Sequence, residues 1–411
     1  VDKCLECGFC GAVCPSTDLT LTPRQRIVIR RELARLDALG SRASDADIAR
    51  MSQLQEAYGY QGIDTCAATG LCATQCPVGI DTGEMVRQLR YDRSLGKAPL
   101  ARRIGQHFAG ATRIARGGLK AASAARAVMG AELMDKASTG ARRLSGDRLP
   151  QWSPALPRSA PIRVLEPVRS SDASRDKVVY LPSCATRIFG TSHDDSVETR
   201  SVMEITLALL DKAGYEVILP DKIDQLCCGM AFKSKGQFEE ATRKGRELNG
   251  ELLAASQNGR YPVICDTSPC TLQMHEHLDE RLEMMEPVAF AHDHLLPRLD
   301  VTPMDERVAV HVTCSSTRMG LADKFVGLAR ACAREVVVPA GITCCGFAGD
   351  KGFNTPELNA AALDGLADQV GTCSAGYSNS RTCEIGLSQH GGIPYRSILS
   401  LLDRASRTET V

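Results

Sequence analysis

The sequence predicts a helical N-terminal module followed by a tandem pair of α/β units, each with a parallel sheet. Three observations predict it. Two tight cysteine runs, each closed by Cys-Pro, flank a helical spacer near the N-terminus. A pattern of strand, Cys, Cys-Cys-Gly and Cys occurs twice in the second half. Around those cysteines, short β-branched runs alternate with amphipathic helical ones, the signature of α/β units. The chain has 411 residues, enough for two or three domains. The expected parts are residues 1–98 for the module, 99–175 for a helical connector and proline-rich linker, 176–300 for the first unit and 301–411 for the second.

The first run, CLECGFCGAVCP, sets Cys4, Cys7, Cys10 and Cys14 in Cys-x2-Cys-x2-Cys-x3-Cys-Pro spacing. Thiolates are the soft ligands that iron in a sulfide cage prefers. The short spacers let one loop present three sulfurs to three corners of a cube, and the fourth cysteine of such a run reaches a second cluster. Zinc usually takes two cysteine pairs set further apart. A disulfide framework needs an oxidising compartment and denser cysteine. The second run, CAATGLCATQCPVGI, supplies the partner with one change. Cys66, Cys72 and Cys76 overlay on Cys4, Cys10 and Cys14, and Thr69 stands where Cys7 would be. Crossed ligation assigns Cys4, Cys7, Cys10 and Cys76 to a complete [4Fe–4S] cube. It leaves Cys14, Cys66 and Cys72 for a three-thiolate site, expected to hold [3Fe–4S] or a cube whose open corner carries water. The close carboxylates, Asp64 and Asp81, lie outside the loop and are not expected to fill the corner.

Between the runs, TPRQRIVIRRELARLDAL puts Ile29, Leu33 and Leu36 on one helical face. Thr22 ahead of Pro23 is a helix start. Two motifs separated by a long helical spacer, the second lacking one Cys, resemble the iron–sulfur subunit of succinate dehydrogenase and fumarate reductase. The resemblance implies an α-helical ferredoxin domain.

Lys plus Arg and Asp plus Glu both number 49, and this balance points away from nucleic acid or an acidic substrate as partner. Eighteen cysteines in the whole chain fall below the density of a disulfide scaffold. They read as metal ligands in a reducing compartment. With no signal-peptide pattern and no apolar run of membrane-spanning length, a cytoplasmic location is expected. The chain opens at Val1 with the first ligand three residues on. The expectation is therefore the C-terminal part of a longer polypeptide. The stretch LARRIGQHFAGATRIARGGLKAASAARAVMGAEL reads as a solvated basic connector or as a peripheral contact with the inner face of a membrane. LPQWSPALPRSAPIRVLEP follows, an extended linker expected to pack on a neighbour with Trp152 as its anchor.

KVVYLPSCATRIFG opens one repeat and RVAVHVTCSSTRMG the next, bringing Cys184 and Cys314 to strand ends, where α/β sheets place their sites. CCGMAF adds Cys227 and Cys228, and CCGFAG adds Cys344 and Cys345. Cys270 and Cys383 complete the two sets. Each set of four is expected to bind its own metal. GFAGDKG follows twin cysteines directly and reads as their wrapping loop, not as a dinucleotide fingerprint. His275 with His277 and His292 with His294 lack a third ligand and read as surface or capping residues. His311 reads as a hydrogen-bonded core histidine able to tune a nearby cluster. Cys332 and Cys373 have no counterpart in the first unit and read as buried thiols.

Over roughly residues 176–411 the repeats resemble the cysteine-rich domain pair of heterodisulfide reductase and of glycolate oxidase iron–sulfur subunits. That pattern ends in Cys-x2-Cys, and here Thr267 and Ser380 replace the first member of each pair. The departure puts a double-cubane-like cluster in doubt and leaves a four-cysteine site for iron–sulfur or zinc. Cys265 could stand in only if its loop shifts. The order of parts resembles the C-terminal half of flavin-linked D-lactate dehydrogenases of the cytochrome- or quinone-reducing kind. CLECGFCGAVCPSTDLTLTPRQRIVIRREL and SNSRTCEIGLSQHGGIPYRSIL are both similar to that family. The resemblance implies an iron–sulfur electron-transfer part, with FAD on a preceding part or a partner subunit and a quinone or cytochrome as acceptor. D-2-hydroxyglutarate dehydrogenases and glycolate oxidase subunits share much of the pattern. Two rival readings remain at this point: thiol–disulfide catalysis at the Cys-Cys-Gly units, as in heterodisulfide reductase, and a zinc-stapled docking scaffold.

Overall fold

The computed structural model describes residues 3–147, 149–161 and 174–406; the expected linker between 162 and 173 lies outside them. Residues 3–147 contain helices and no strand. Helix α1 (Pro23–Asp37) begins at a capping box in which Thr22 and Gln25 satisfy each other's backbone N–H groups. Leu33 and Leu36 are buried, and Ile29 packs against Tyr58, Ile63 and Val86. A second capping box, Ser44 with Asp47, starts α2 (Asp45–Tyr58). The short α3 (Leu71–Thr74) and α4 (Thr82–Ser94) follow, the latter capped by Asp81. The connector forms α5 (Ala98–Gln106), α6 (Phe108–Met129) and α7 (Ala131–Leu144), with Gly130 at φ 80 separating the last two.

The linker is held mainly by its backbone. Gln151 N–H donates to the Phe353 carbonyl of the second unit, and Ala160 N–H to the Ile188 carbonyl of the first. Ser159 forms an antiparallel bridge with Phe189. Trp152, expected as the anchor, is only half-buried, whereas Ala160 is fully buried. A row of paired peptide groups fixes this segment where a single large side chain was expected to do so.

The first sheet has β1 (Asp176–Leu181), β2 (Tyr215–Ile218), β3 (Val263–Cys265) and β4 (Met284–Met285) in the order β2-β1-β3-β4. The second has β5 (Met304–Val310), β6 (Ala333–Val337), β7 (Ala375–Ser378) and β8 (Tyr395–Ser397) in the order β6-β5-β7-β8. All pairings are parallel. Helices that position the site or pack on the sheets include α8 (Cys184–Ile188), α9 (Val202–Lys212), α10 (Phe238–Ala255), α11 (Ser268–His275), α12 (Cys314–Arg318), α13 (Ala322–Cys332), α14 (Pro356–Ala362), α15 (Arg381–Gly391) and α16 (Ile398–Ala405).

Strand alternation divides the core. Val178 and Tyr180 of β1 share one apolar cluster with Val308 and Val310 of β5, sealed by Leu209 of α9, Phe325 of α13 and Leu401 of α16. This common core joins the two sheets. The intervening residues face away from it. Val179, Leu181 and Cys265 pack with Cys228, while Ala309 packs with Cys345 and Cys383. Each sheet thus gives one face to the other unit and the opposite face to its own cysteines.

Candidate metal centres

The two N-terminal cysteine loops are built alike. Glu6 and Gly8, two and four residues after Cys4, have positive φ, and so do Ala68 and Gly70 after Cys66. Gly11 N–H donates to the Gly8 carbonyl at 2.9 Å, and Ala73 N–H to Gly70 at 3.0 Å. Cys14 N–H donates to Gly11 at 3.1 Å, and Cys76 N–H to Ala73 at 3.2 Å. The loop holding Thr69 therefore winds like the loop holding Cys7. The loops lie side by side and exchange their last cysteines. Cys4, Cys7 and Cys10 line one small cavity with Cys76. Cys14 lines a second with Cys66, Cys72 and Thr69. Thiol donors around cavities of this kind suit iron–sulfur clusters.

The two cavities differ in their surroundings. The four-thiol cavity lies near the surface: Cys7 is exposed, as are Leu5, Phe9 and Val78 around it. The three-thiol cavity is lined by the buried Cys66 and Cys72, and guanidinium groups hold the loop around it. Arg26 is fully buried, with Nη1 3.8 Å from Cys14 Sγ. Arg87 donates to the Ala68 carbonyl at 2.8 Å and Arg90 to that of Cys66 at 2.6 Å. Arg318, from the second unit, donates to the Thr69 carbonyl at 3.3 Å. The Thr69 hydroxyl accepts locally, from Leu71 N–H at 3.4 Å.

Asp81 is closer to this cavity than its place outside the loop implied. Its Oδ1 lies 3.8 Å from Cys72 Sγ, brought there by the N-terminus of α4. Burial, then the Asp81 charge, pushes the Cys72 thiol up to about 11. The Asp81 oxygens are engaged by Gly83 N–H at 2.7 Å and by Arg87 at 3.4 Å. Asp64 turns its side chain to Arg93, 3.6 Å away.

In the first unit, contacts run from Cys184 to Cys227, from Cys227 to Cys228, and from Cys228 to Cys270. Hydrogen bonds from Cys227 and Cys270 hold the Cys228 thiol below its ordinary value. The second unit repeats the arrangement. Cys314 meets Cys344, Cys344 meets Cys345, and Cys345 Sγ lies 2.8 Å from Cys383 Sγ. Cys184 and Cys314 both open short helices, α8 and α12, capped by Ser183 and Thr313. Gly229 N–H points at Cys227 Sγ and Gly346 N–H at Cys344 Sγ, both at 3.4 Å. The glycine in Cys-Cys-Gly has two causes in each unit. Its φ is +86 at Gly229 and +68 at Gly346, and a Cβ there would lie 2.6 Å from the carbonyl of Ala241 or Leu358.

Cys265, at the end of β3, is buried and hydrogen-bonds with Cys270, so the first unit gathers a fifth thiol without a loop shift. The expectation treated it as displaced along an extended chain. Strand β3 ends at Cys265 and α11 starts at Ser268, and the turn between them brings the side chains together. Thr267, in the slot of the family's fifth cysteine, hydrogen-bonds instead with Asp266 and Ser183. Among the described residues, no group of three or more His, Cys, Asp or Glu is arranged to hold a single metal ion. His292 pairs with Asp293 at 2.8 Å, and His294 stacks on Phe290. His311 is buried 3.4 Å from Ser378 Oγ.

Comparison with known proteins separates the parts. Residues 1–80 match the family described as 4Fe-4S dicluster domain, and residues 178–275 match the cysteine-rich domain. The chain joins a 4Fe–4S dicluster domain to a cysteine-rich domain. Two curated proteins named lactate utilization protein A resemble it. The one from Exiguobacterium sp. is 23% identical over 193 residues, which is 41% of this chain and 74% of that protein. The one from Oceanobacillus iheyensis is 24% identical over 189 residues, 42% of this chain and 75% of that protein. A solved aspartate racemase homologue from Pyrococcus horikoshii covers 56% of this chain and 96% of its own, at 13% identity and a TM-score of 0.23. The dicluster domain contains both N-terminal loops, and the cysteine-rich domain contains Cys184, Cys227, Cys228 and Cys270.

Proposed function

We propose that this chain is the iron–sulfur electron-transfer part of a flavin-linked 2-hydroxy-acid dehydrogenase, with D-lactate as the substrate class. In this reading Cys4, Cys7, Cys10 and Cys76 hold a [4Fe–4S] cluster, and Cys14, Cys66 and Cys72 hold [3Fe–4S] or an incomplete cube. The second unit is a second cysteine-rich domain, and each unit binds its own iron–sulfur centre. The observation that carries the reading is the exchange of Cys76 and Cys14 between the two loops, which makes two separate thiol-lined cavities. The names of the two curated relatives support lactate as the substrate class. Clusters, when bound, carry electrons singly; hydride removal from a C2–H bond is flavin chemistry and is assigned to a partner domain or subunit. The residues of this chain hold the ligands, exclude water and set the field around them.

The order of sites suggests a direction. The four-thiol cavity, with Leu5, Phe9 and Val78 exposed beside it, suits a partner that exchanges electrons at the surface. The three-thiol cavity faces inward, where α3 packs on α12, the helix that opens with Cys314. The acceptor in this reading is a quinone or a cytochrome. Leu100, Ile114, Val128 and Leu144 are exposed on the basic connector and support peripheral contact with an anionic membrane surface. No helix among the described residues is long and apolar enough to cross a membrane. The run of thiol contacts from Cys184 through Cys227 and Cys228 to Cys270 favours a second reading, thiol–disulfide chemistry at the first unit, with Cys228, which accepts hydrogen bonds from Cys227 and Cys270, as the nucleophile. Metal analysis separates the two, because metal bound by all four cysteines leaves no free Cys228 nucleophile.

Electron paramagnetic resonance on the protein prepared without oxygen tests the main reading. The oxidised form is expected to show a [3Fe–4S] signal, and Thr69→Cys is expected to replace it with a second cube. Absence of the signal from the wild type, with iron present, would overturn the [3Fe–4S] assignment.

A further inference from the structure

Arg318 belongs to the second unit yet reaches across to the dicluster domain. It is the last residue of α12, whose first residue is Cys314. Its Nη1 donates to the carbonyl of Thr69, the residue in the slot of the missing cysteine, at 3.3 Å. The crossing is fitted closely. Gly70 has φ +78, and a Cβ there would lie 2.9 Å from the Arg318 guanidinium. Any side chain at 70 would therefore displace the arginine or strain the loop. On its other side Arg318 meets Glu276, whose Oε1 is 3.6 Å from Nη2. A second cation of the same unit, Lys351, donates to the Asp64 carbonyl at the start of this loop. The segment from Asp64 to Gly70, which carries Cys66 and the Thr69 corner, is thus held at both ends by cations from outside its own domain.

A fixed positive charge beside a redox centre favours the reduced, more negative state and raises its reduction potential. Arg26, Arg87 and Arg90 stand around this loop within the dicluster domain, and Arg318 reaches it from the unit that carries the next thiol set. We propose that Arg318 is a positioning residue for the three-thiol site: it pins the Thr69 corner against the second unit, and its charge holds the potential of that site up. The proposal rests on the reading of Cys14, Cys66 and Cys72 as cluster ligands.

The test is a redox titration of the full chain, followed by electron paramagnetic resonance, with three variants. Arg318→Gln removes the charge and leaves an uncharged amide on a shorter side chain. It is expected to shift the midpoint of the three-thiol centre downward and leave the four-thiol centre where it was. Arg318→Lys is expected to stay close to the wild type. Glu276→Gln removes the negative partner without touching the dicluster domain, and is expected to shift the same midpoint upward. A wild-type midpoint in Arg318→Gln, an equal shift of both centres, or no upward shift in Glu276→Gln overturns the proposal. If Arg318→Gln fails to retain the cluster, the Glu276→Gln result decides alone. A wild type with no signal from the three-thiol site sinks the ligand reading beneath the proposal, and that outcome is distinct from an intact signal that does not move.

Discussion

Arg26 is a fully buried cation. Its Nε donates to the Gly62 carbonyl at 2.8 Å, and Nη2 to Ser16 and Thr65 hydroxyls at 3.0 and 3.2 Å. Carbonyls and hydroxyls satisfy its donors but do not neutralise its charge, which is expensive to bury alone. Deprotonated sulfur at Cys14 would supply the missing anion. His311 presents the opposite case, a buried base kept neutral. Burial lowers it to about 4 from an ordinary 6.5. The unfolded chain therefore binds a proton more readily than the folded one between those values. The associated stability is fully present above pH 6.5 and is lost as pH falls toward 4, amounting to roughly 3 kcal/mol. Chemical denaturation across this range is expected to show a steep loss in the wild type and a shallower one in His311→Gln. The slope decides, because the substitution also changes packing.

At the scale of elements, each Cys-Cys-Gly turn depends on the helix behind it. In the first unit Gly229 presses against Ala241 of α10, and in the second Gly346 presses against Leu358 of α14. Alanine at either position meets a backbone carbonyl and also adopts a left-handed conformation that costs about 1–2 kcal/mol. Gly229→Ala and Gly346→Ala are each expected to lower the metal content of their own unit and spare the other. Metal analysis of the two variants checks this, and equal loss from both units in either variant would show that the centres are not independent.

Across the whole molecule, the dicluster domain is tied to both units. Arg90 donates to the Ser234 carbonyl at 2.8 Å, and the Tyr60 hydroxyl to Glu357 at 2.6 Å. In the proposed reading such a body relays electrons between fixed centres, and hydride removal belongs to the flavin-bearing part. A chemical reductant is therefore expected to reduce the isolated chain, and the reduced chain to reduce an acceptor dye. D-lactate alone is expected to leave its visible absorption unchanged until the flavin-bearing part is added. Bleaching by D-lactate in the flavin-free chain would locate the dehydrogenase chemistry in one of the units.

The sequence alone determined the features that depend on local spacing. Cysteine spacing sets which sulfurs one loop can present, so the overlay of Cys66, Cys72 and Cys76 on the first run was legible. The Thr22 cap, strand alternation and the paired Cys-Cys-Gly turns were legible for the same reason. What only the tertiary structure decided depends on contacts between distant segments. Asp81 comes to Cys72 because α4 begins beside the second loop. Cys265 reaches Cys270 because the chain turns between β3 and α11. The arginines around the second loop come from α1, α4 and α12, and nothing in local periodicity marks Arg26 or Arg318 among the many arginines of this chain. A buried cation is recognised by what surrounds it, and its surroundings exist only once the domains have packed.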